Sequence, residues 1–157
     1  MQTVGGRYEI TTQLGEGGMG CVYRAKHIQL GKVFALKLIN STFALHPEAR
    51  SRFNQEAKLA SEITHPNIVS IVDFGEDETL GAYMVMELVE GEPLIPDGHG
   101  PMSVKRACDL LIQISEAIDH IHRAGIVHGD IKADNIMLST ETNGQRRRRM
   151  VRLLDFG

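Results

Sequence analysis

The sequence predicts an α+β fold: a strand-rich first part carrying one helix, then a helix-led second part, with the change near residue 90. Residues 8–39 contain three extended runs punctuated by glycines, the pattern of strands joined by tight turns. Phe53, Ala57, Ala60 and Ile63 recur every three or four residues, the spacing of one helical face. A longer helical pattern begins only after Glu90–Pro101, a segment of three Gly and three Pro that cannot continue regular structure.

Each element follows from local chemistry. Tyr8, Ile10 and Thr12 alternate, a glycine cluster follows, and Cys21–Lys26 resumes the extended pattern. Leu30-Gly31-Lys32 is a turn, and Val33–Ile39 is a third strand of bulky residues. Pro47 suits a first helical position, where its missing N–H costs nothing, and Glu48 complements the positive end of the helix dipole. His65-Pro66-Asn67 ends that helix. Residues 68–74 and 82–89 read as two more strands around an acidic, glycine-containing turn, making five. Residues 90–101 read as a linker, dividing the chain into parts 1–89 and 90–157. Ser103 is then an N-cap, with Val104, Ala107, Leu111, Ile114, Ile118 and Ile121 on one helical face and Gly125 as the stop. Leu110, Ile112 and Ala117 widen that face, so the helix expects neighbours on several sides. Short strands at Ile126-Val127, Ile136–Leu138 and Val151–Leu154 complete the chain, and the polar, arginine-bearing stretch 140–149 reads as a surface loop.

Composition excludes several classes. A net charge of −3 gives no nucleic-acid footprint. Cys21 and Cys108 lie far apart without metal-ligand spacing, which fits two reduced thiols. No apolar run approaches the ~18 residues of a membrane span, and Met1-Gln2-Thr3 is no signal peptide. Arg146–Arg149 reads as a solvated charge run rather than a phosphate or lipid site.

Four constellations carry chemistry. Leu14-Gly15-Glu16-Gly17-Gly18-Met19-Gly20-Cys21-Val22 contains G-x-G-x-x-G, which alone also suits dinucleotide folds; here a strand, not a helix, follows the glycines. Gly15, Gly17, Gly18 and Gly20 would let a hairpin backbone close over phosphates with its N–H groups as donors. Lys37 would be an ordinary strand lysine but for Glu56 on the next helix, read as inward-facing; an ion pair would hold the ammonium over ATP phosphates. Glu62 competes in poorer register. In His128-Gly129-Asp130-Ile131-Lys132-Ala133-Asp134-Asn135, Asp130 can take a hydroxyl proton, Lys132 can neutralise a moving phosphoryl, and Asn135 can offer magnesium an oxygen. His128 reads as a core histidine. Asp155 of Asp155-Phe156-Gly157 follows a short apolar strand and reads as a magnesium carboxylate.

In this order the motifs resemble the protein kinase family across residues 7–157. The resemblance implies a five-stranded antiparallel N-lobe sheet with one helix, then the start of a helical C-lobe. It implies Met86 as gatekeeper, Glu87 and Val89 presenting backbone groups to adenine, and Val22, Ala35 and Met137 sandwiching the ring. Asp-x-Lys-x-x-Asn at 130–135 is similar to Ser/Thr kinases, and the glycine loop to bacterial eukaryotic-like (Hanks-type) ones. The implied activity is transfer of the ATP γ-phosphate to protein Ser/Thr hydroxyls, with ATP and Mg2+ bound, no nucleic acid, and a cytoplasmic location. Gly129 replaces the arginine of H-R-D, a departure that makes activation by loop phosphorylation unexpected. The chain ends at Gly157, where the family's activation segment begins. A truncated member is therefore expected, binding magnesium-ATP at best with negligible peptide phosphorylation. The alternative is a non-catalytic nucleotide-binding or scaffolding module; a small-molecule kinase is disfavoured by Lys132.

Overall fold

The structure, a computed structural model, describes residues 2–17, 20–39, 47–95, 100–143 and 146–154. Its contacts divide the chain into two compact units: residues 1–62 with 70–88, and residues 63–69 with 89–157.

The first unit is an antiparallel sheet with one helix. Strands β1 (Thr3–Val4), β2 (Tyr8–Gly17), β3 (Gly20–His27), β4 (Val33–Ile39), β5 (Ile71–Asp77) and β6 (Gly81–Glu87) lie in the order β1-β2-β3-β4-β6-β5. The sheet therefore has six strands where the sequence predicts five. The added strand pairs Thr3 with Glu9 and Val4 with Tyr8, and Ile10 N–H donates to the Gln2 carbonyl. A two-residue strand carries no periodic signal, but Val4 is fully buried among Tyr8, Ala25, Leu36, Tyr83 and Val85. The Tyr8 ring meets His27, Phe34 and Tyr83 edge to face, and its hydroxyl donates to Asp73 Oδ2 at 2.7 Å. Burial, and then the Asp73 carboxylate, push that hydroxyl's pKa far up. Arg7 ties the same corner, bonding Asp73 at 3.0 Å and the Tyr83 hydroxyl at 3.1 Å. Helix α1 (Pro47–Ser61) packs on β5 and buries Ala57 and Ala60.

The second unit is built on helix α2 (Val104–Arg123) and the sheet β7 (Gly91–Pro93), β8 (Ile136–Asn143), β9 (Arg146–Leu153), all antiparallel. Leu110, Ala117 and Ile121 of α2 pack with Ile136, Leu138, Val151 and Leu153, and Ile63 and Ile68 join this core, which is why residues 63–69 belong here. The predicted caps are present. Ser103 Oγ accepts from Arg106 N–H, and past Ala124 the chain turns at Gly125 (φ +76), with Gly125 N–H on His122 O and Ile126 N–H on Ile121 O.

Four expectations are corrected in this unit. Residues 140–143 and 146–149 are paired antiparallel strands, not a surface loop: Thr140 pairs with Arg149, Glu141 with Arg148 and Thr142 with Arg147. Cross-strand opposite charges and β-branched threonines favour pairing without any apolar alternation to reveal it. Residues 90–101 are not wholly linker, since Gly91–Pro93 forms strand β7 against β8. Gly91 permits that approach, because a Cβ there would lie 2.5 Å from the Leu138 carbonyl oxygen, and Pro93 is tolerated on an edge strand. Ile126-Val127 is not a strand; Ile126 N–H is spent on the helix cap and Val127 is exposed. The buried stripe of α2 is Leu110, Gln113, Ala117 and Ile121, while Val104, Leu111 and Ile112 are exposed. With apolar residues around much of the helix, periodicity could not choose the angle, and the true stripe contains a polar residue. Among the described residues no helix is long and apolar enough to cross a membrane.

Candidate functional site

In the first unit the candidate residues are organised by strand register. Lys37 lies in β4 opposite Val22 of β3 and Met84 of β6, and Ala35 lies opposite Met86. Side chains alternate along a strand, so Val22, Ala35, Lys37 and Met86 share one face while Leu36 and Val85 point into the core on the other. Lys37 is only 5% exposed, unlike an ordinary solvated strand lysine. Glu56 lies on the exposed side of α1. The inward stripe of α1 is Ala57 and Ala60, one position away from Glu56.

The glycine hairpin pairs Gly15 with Val22, Glu16 with Cys21 and Gly17 with Gly20, with exposed residues from Thr11 through Leu14 to Gly17. Gly18 and Met19 lie outside the described residues. Gly20 is dictated by the fold, for at φ +148 a Cβ would fall 1.9 Å from the Leu38 carbonyl oxygen. Gly15 and Gly17 are different, since a Cβ on either would meet nothing within 4 Å. At the end of β6, Glu87 N–H donates to the Ser70 carbonyl at 3.0 Å, and Val89 is half-buried.

In the second unit the loop 128–135 is a closed hydrogen-bond circuit. Lys132 Nζ and Asn135 Nδ2 each lie 2.8 Å from Asp130 Oδ2, and Asn135 Nδ2 also donates to the Asp130 carbonyl at 2.9 Å. The Lys132 ammonium first, then the Asn135 amide, hold the Asp130 carboxyl below the usual carboxylate range. His128 is buried; its Nδ1 accepts from Asp130 N–H at 3.4 Å, so Nε2 carries the proton and bonds the Leu154 carbonyl at 3.0 Å. Leu154 N–H donates to the Asn135 carbonyl at 2.8 Å. Ala133–Asn135 forms one 3-10 turn, and Met137 follows on β8, opposite Arg152 and Pro93 and on the face away from Ile136 and Leu138. Asp155, Phe156 and Gly157 lie outside the described residues.

The protein kinase domain family matches residues 8–157 of this sequence. The chain belongs to the protein kinase family. It is 36% identical over 158 residues to the serine/threonine-protein kinase pkn3 of Myxococcus xanthus, which spans 99% of this chain and 28% of that protein. Identity to PrkC of Bacillus subtilis is 40% over 156 residues, with 98% and 23% covered. Identity to PknA of Mycobacterium tuberculosis is 39% over 161 residues, with 99% and 36% covered. The kinase domain of PknI from Mycobacterium tuberculosis superposes with a TM-score of 0.80 at 27% identity, over 99% of this chain and 61% of that one. The kinase chain thus spans between 23% and 36% of the length of these curated relatives.

Within the kinase loop, Gly129 has φ +77 and open space around it. The left-handed backbone is relaxed for glycine, which gives this departure from H-R-D a local physical basis besides the loss of a cation. The sequence reading missed Asn67 and Gln113, both buried, which bond β9 immediately before the loop's partner Leu154. A glutamine inside an apolar helical stripe was the available signal.

Proposed function

We propose that this chain supplies the nucleotide site and catalytic loop for transfer of the ATP γ-phosphate to serine or threonine hydroxyls. The observation that carries the reading is the Asp130 carboxylate, ionised and oriented by Lys132 and Asn135. Both donors fall on Oδ2, which leaves Oδ1 to accept a hydrogen bond from a substrate hydroxyl. A carboxylate held below its usual range is a weak base, so Asp130 orients the hydroxyl and receives its proton late, which a loose, dissociative transfer tolerates. The hydroxyl oxygen bonds the γ-phosphorus, the bond to the β–γ bridging oxygen breaks, and ADP leaves. Lys132, beside that carboxylate, supplies positive charge for the transferred group.

Two features of the first unit support the nucleotide end of the reading. Gly15 and Gly17 are glycines the fold does not require, which keeps a bare backbone available to phosphates. Val22, Ala35 and Met86 form an apolar surface beside the buried Lys37, suited to a purine ring and its first phosphates. Asn135 spends its amide nitrogen on Asp130, so its oxygen can face a metal, and oxygen is the ligand magnesium takes. With Asp155 as the carboxylate partner, a bound magnesium ion would neutralise phosphate charge. Glu56 on α1 enters the reading as the carboxylate that would hold Lys37 over the phosphates.

Calorimetric titration of the 157-residue chain tests the nucleotide site. ATP should bind with magnesium and lose most of that affinity in Asn135→Ala and Lys37→Met. Phosphorylation of Ser/Thr peptides by a longer kinase bearing this segment should vanish with Asp130→Ala. Nucleotide binding without any Asp130-dependent transfer in the longer chain would favour the scaffolding module.

A further inference from the structure

Strand β9 is at the edge of its sheet, yet its outward peptide groups are capped one after another. Gln113 Nε2 donates to the Arg149 carbonyl at 3.4 Å, and Val151 N–H donates to Gln113 Oε1 at 3.0 Å. Asn67 Nδ2 donates to the Val151 carbonyl at 2.9 Å and to Gln113 Oε1 at 3.0 Å. Leu153 N–H then reaches the Asn67 carbonyl at 2.8 Å, and Val69 N–H the Leu153 carbonyl at 2.9 Å. Two side-chain amides and one loop thus replace a fourth strand.

Gln113 stands among Leu110, Ala117 and Ile121, where an aliphatic residue would complete the stripe without burying an amide. An apolar contact would hold β9 against α2 but would not fix its position along its own axis, because apolar attraction is non-directional. The amide bonds along the outward edge of residues 149–151 are directional and add to the β8 ladder on the other edge in fixing it. What that position controls is Leu154, the next residue, whose N–H holds the Asn135 carbonyl and whose carbonyl holds His128 Nε2. His128 and Asn135 in turn hold Asp130.

We propose that Gln113 is a positioning residue for phosphoryl transfer: with Asn67 it sets β9, and through Leu154 it sets the backbone of Asn135 and the ring of His128. The consequence for nucleotide handling rests on the proposed function; the mechanical linkage does not.

The test compares Gln113→Met, which keeps length and flexibility but removes the amide, with Leu110→Ala, which opens a cavity in the same helix face. In the whole chain without nucleotide, Gln113→Met should speed hydrogen exchange at the Val151 and Leu154 amides by about tenfold or more relative to the rest of the unit. Leu110→Ala should raise exchange throughout the unit evenly. Gln113→Glu retains an acceptor for Val151 N–H and should keep Leu154 protected. In titrations, Gln113→Met should cut the gain in ATP affinity that magnesium gives by about tenfold, leaving magnesium-free affinity unchanged. Even exchange in Gln113→Met, or equal loss of Leu154 protection in Gln113→Met and Gln113→Glu, overturns the proposal. If the unsubstituted chain binds no magnesium-ATP, the proposed function fails while the exchange comparison still decides the linkage.

Discussion

Replacing Gly129 isolates one physical quantity, the backbone strain of a left-handed residue. At φ +77 an L side chain costs about 1–2 kcal/mol of strain relative to glycine. No packing penalty adds to this, because a Cβ at 129 would meet nothing within 4 Å. Alanine also lowers unfolded-chain entropy, which returns about 0.4–1 kcal/mol. The net expectation for Gly129→Ala is a loss of about 1 kcal/mol, seen as a lower urea midpoint with an unchanged slope. Gly100→Ala, at a position with room for a Cβ and no positive φ, is the control and should be neutral or slightly stabilising. Gly129→Ala as stable as the control would refute the reasoning, because the strain it rests on would not exist.

Three further outcomes are expected. Lys132→Met removes the main cause of the low Asp130 pKa, so a carbon-13 titration should move that carboxyl upward; its stabilising effect, present above the unfolded value near 3.8 and lost on acidification, should shrink with it. Gly20→Ala should cost about 3 kcal/mol or more by driving a Cβ into the Leu38 carbonyl, whereas Gly15→Ala should change denaturation by under about 0.5 kcal/mol while weakening ATP binding. Tyr8→Phe should lose about 1.5 kcal/mol, the worth of a hydrogen bond to a carboxylate; because the folded hydroxyl titrates above 10.0, that advantage holds below pH 10 and fades above it.

Much of the candidate site was legible because its chemistry is local. Asp130, Lys132 and Asn135 lie within one short loop, so their spacing alone places two donors on one carboxylate. The pairing of Lys37 with Glu56 was legible only as a possibility, since which side of α1 faces the sheet depends on packing; Ala57 and Ala60 are the buried residues there. The strand pairing of 140–143 with 146–149 escaped because strands that leave the core lose the alternation by which strands are recognised.

By itself the sequence determined the kinase family, the order of the motifs, the strand β4 that carries Lys37, both ends of α2 and the loop at 128–135. These depend on short-range chemistry: side-chain alternation, capping and glycine placement. Tertiary structure alone decided the sixth strand, the shared face of Val22, Ala35, Lys37 and Met86, the orientation of α2, and the amide node at Asn67 and Gln113. Those features join residues as far apart as Asn67 and Val151, and such pairings are set by which surfaces the folded chain must bury and which polar groups it must satisfy while doing so.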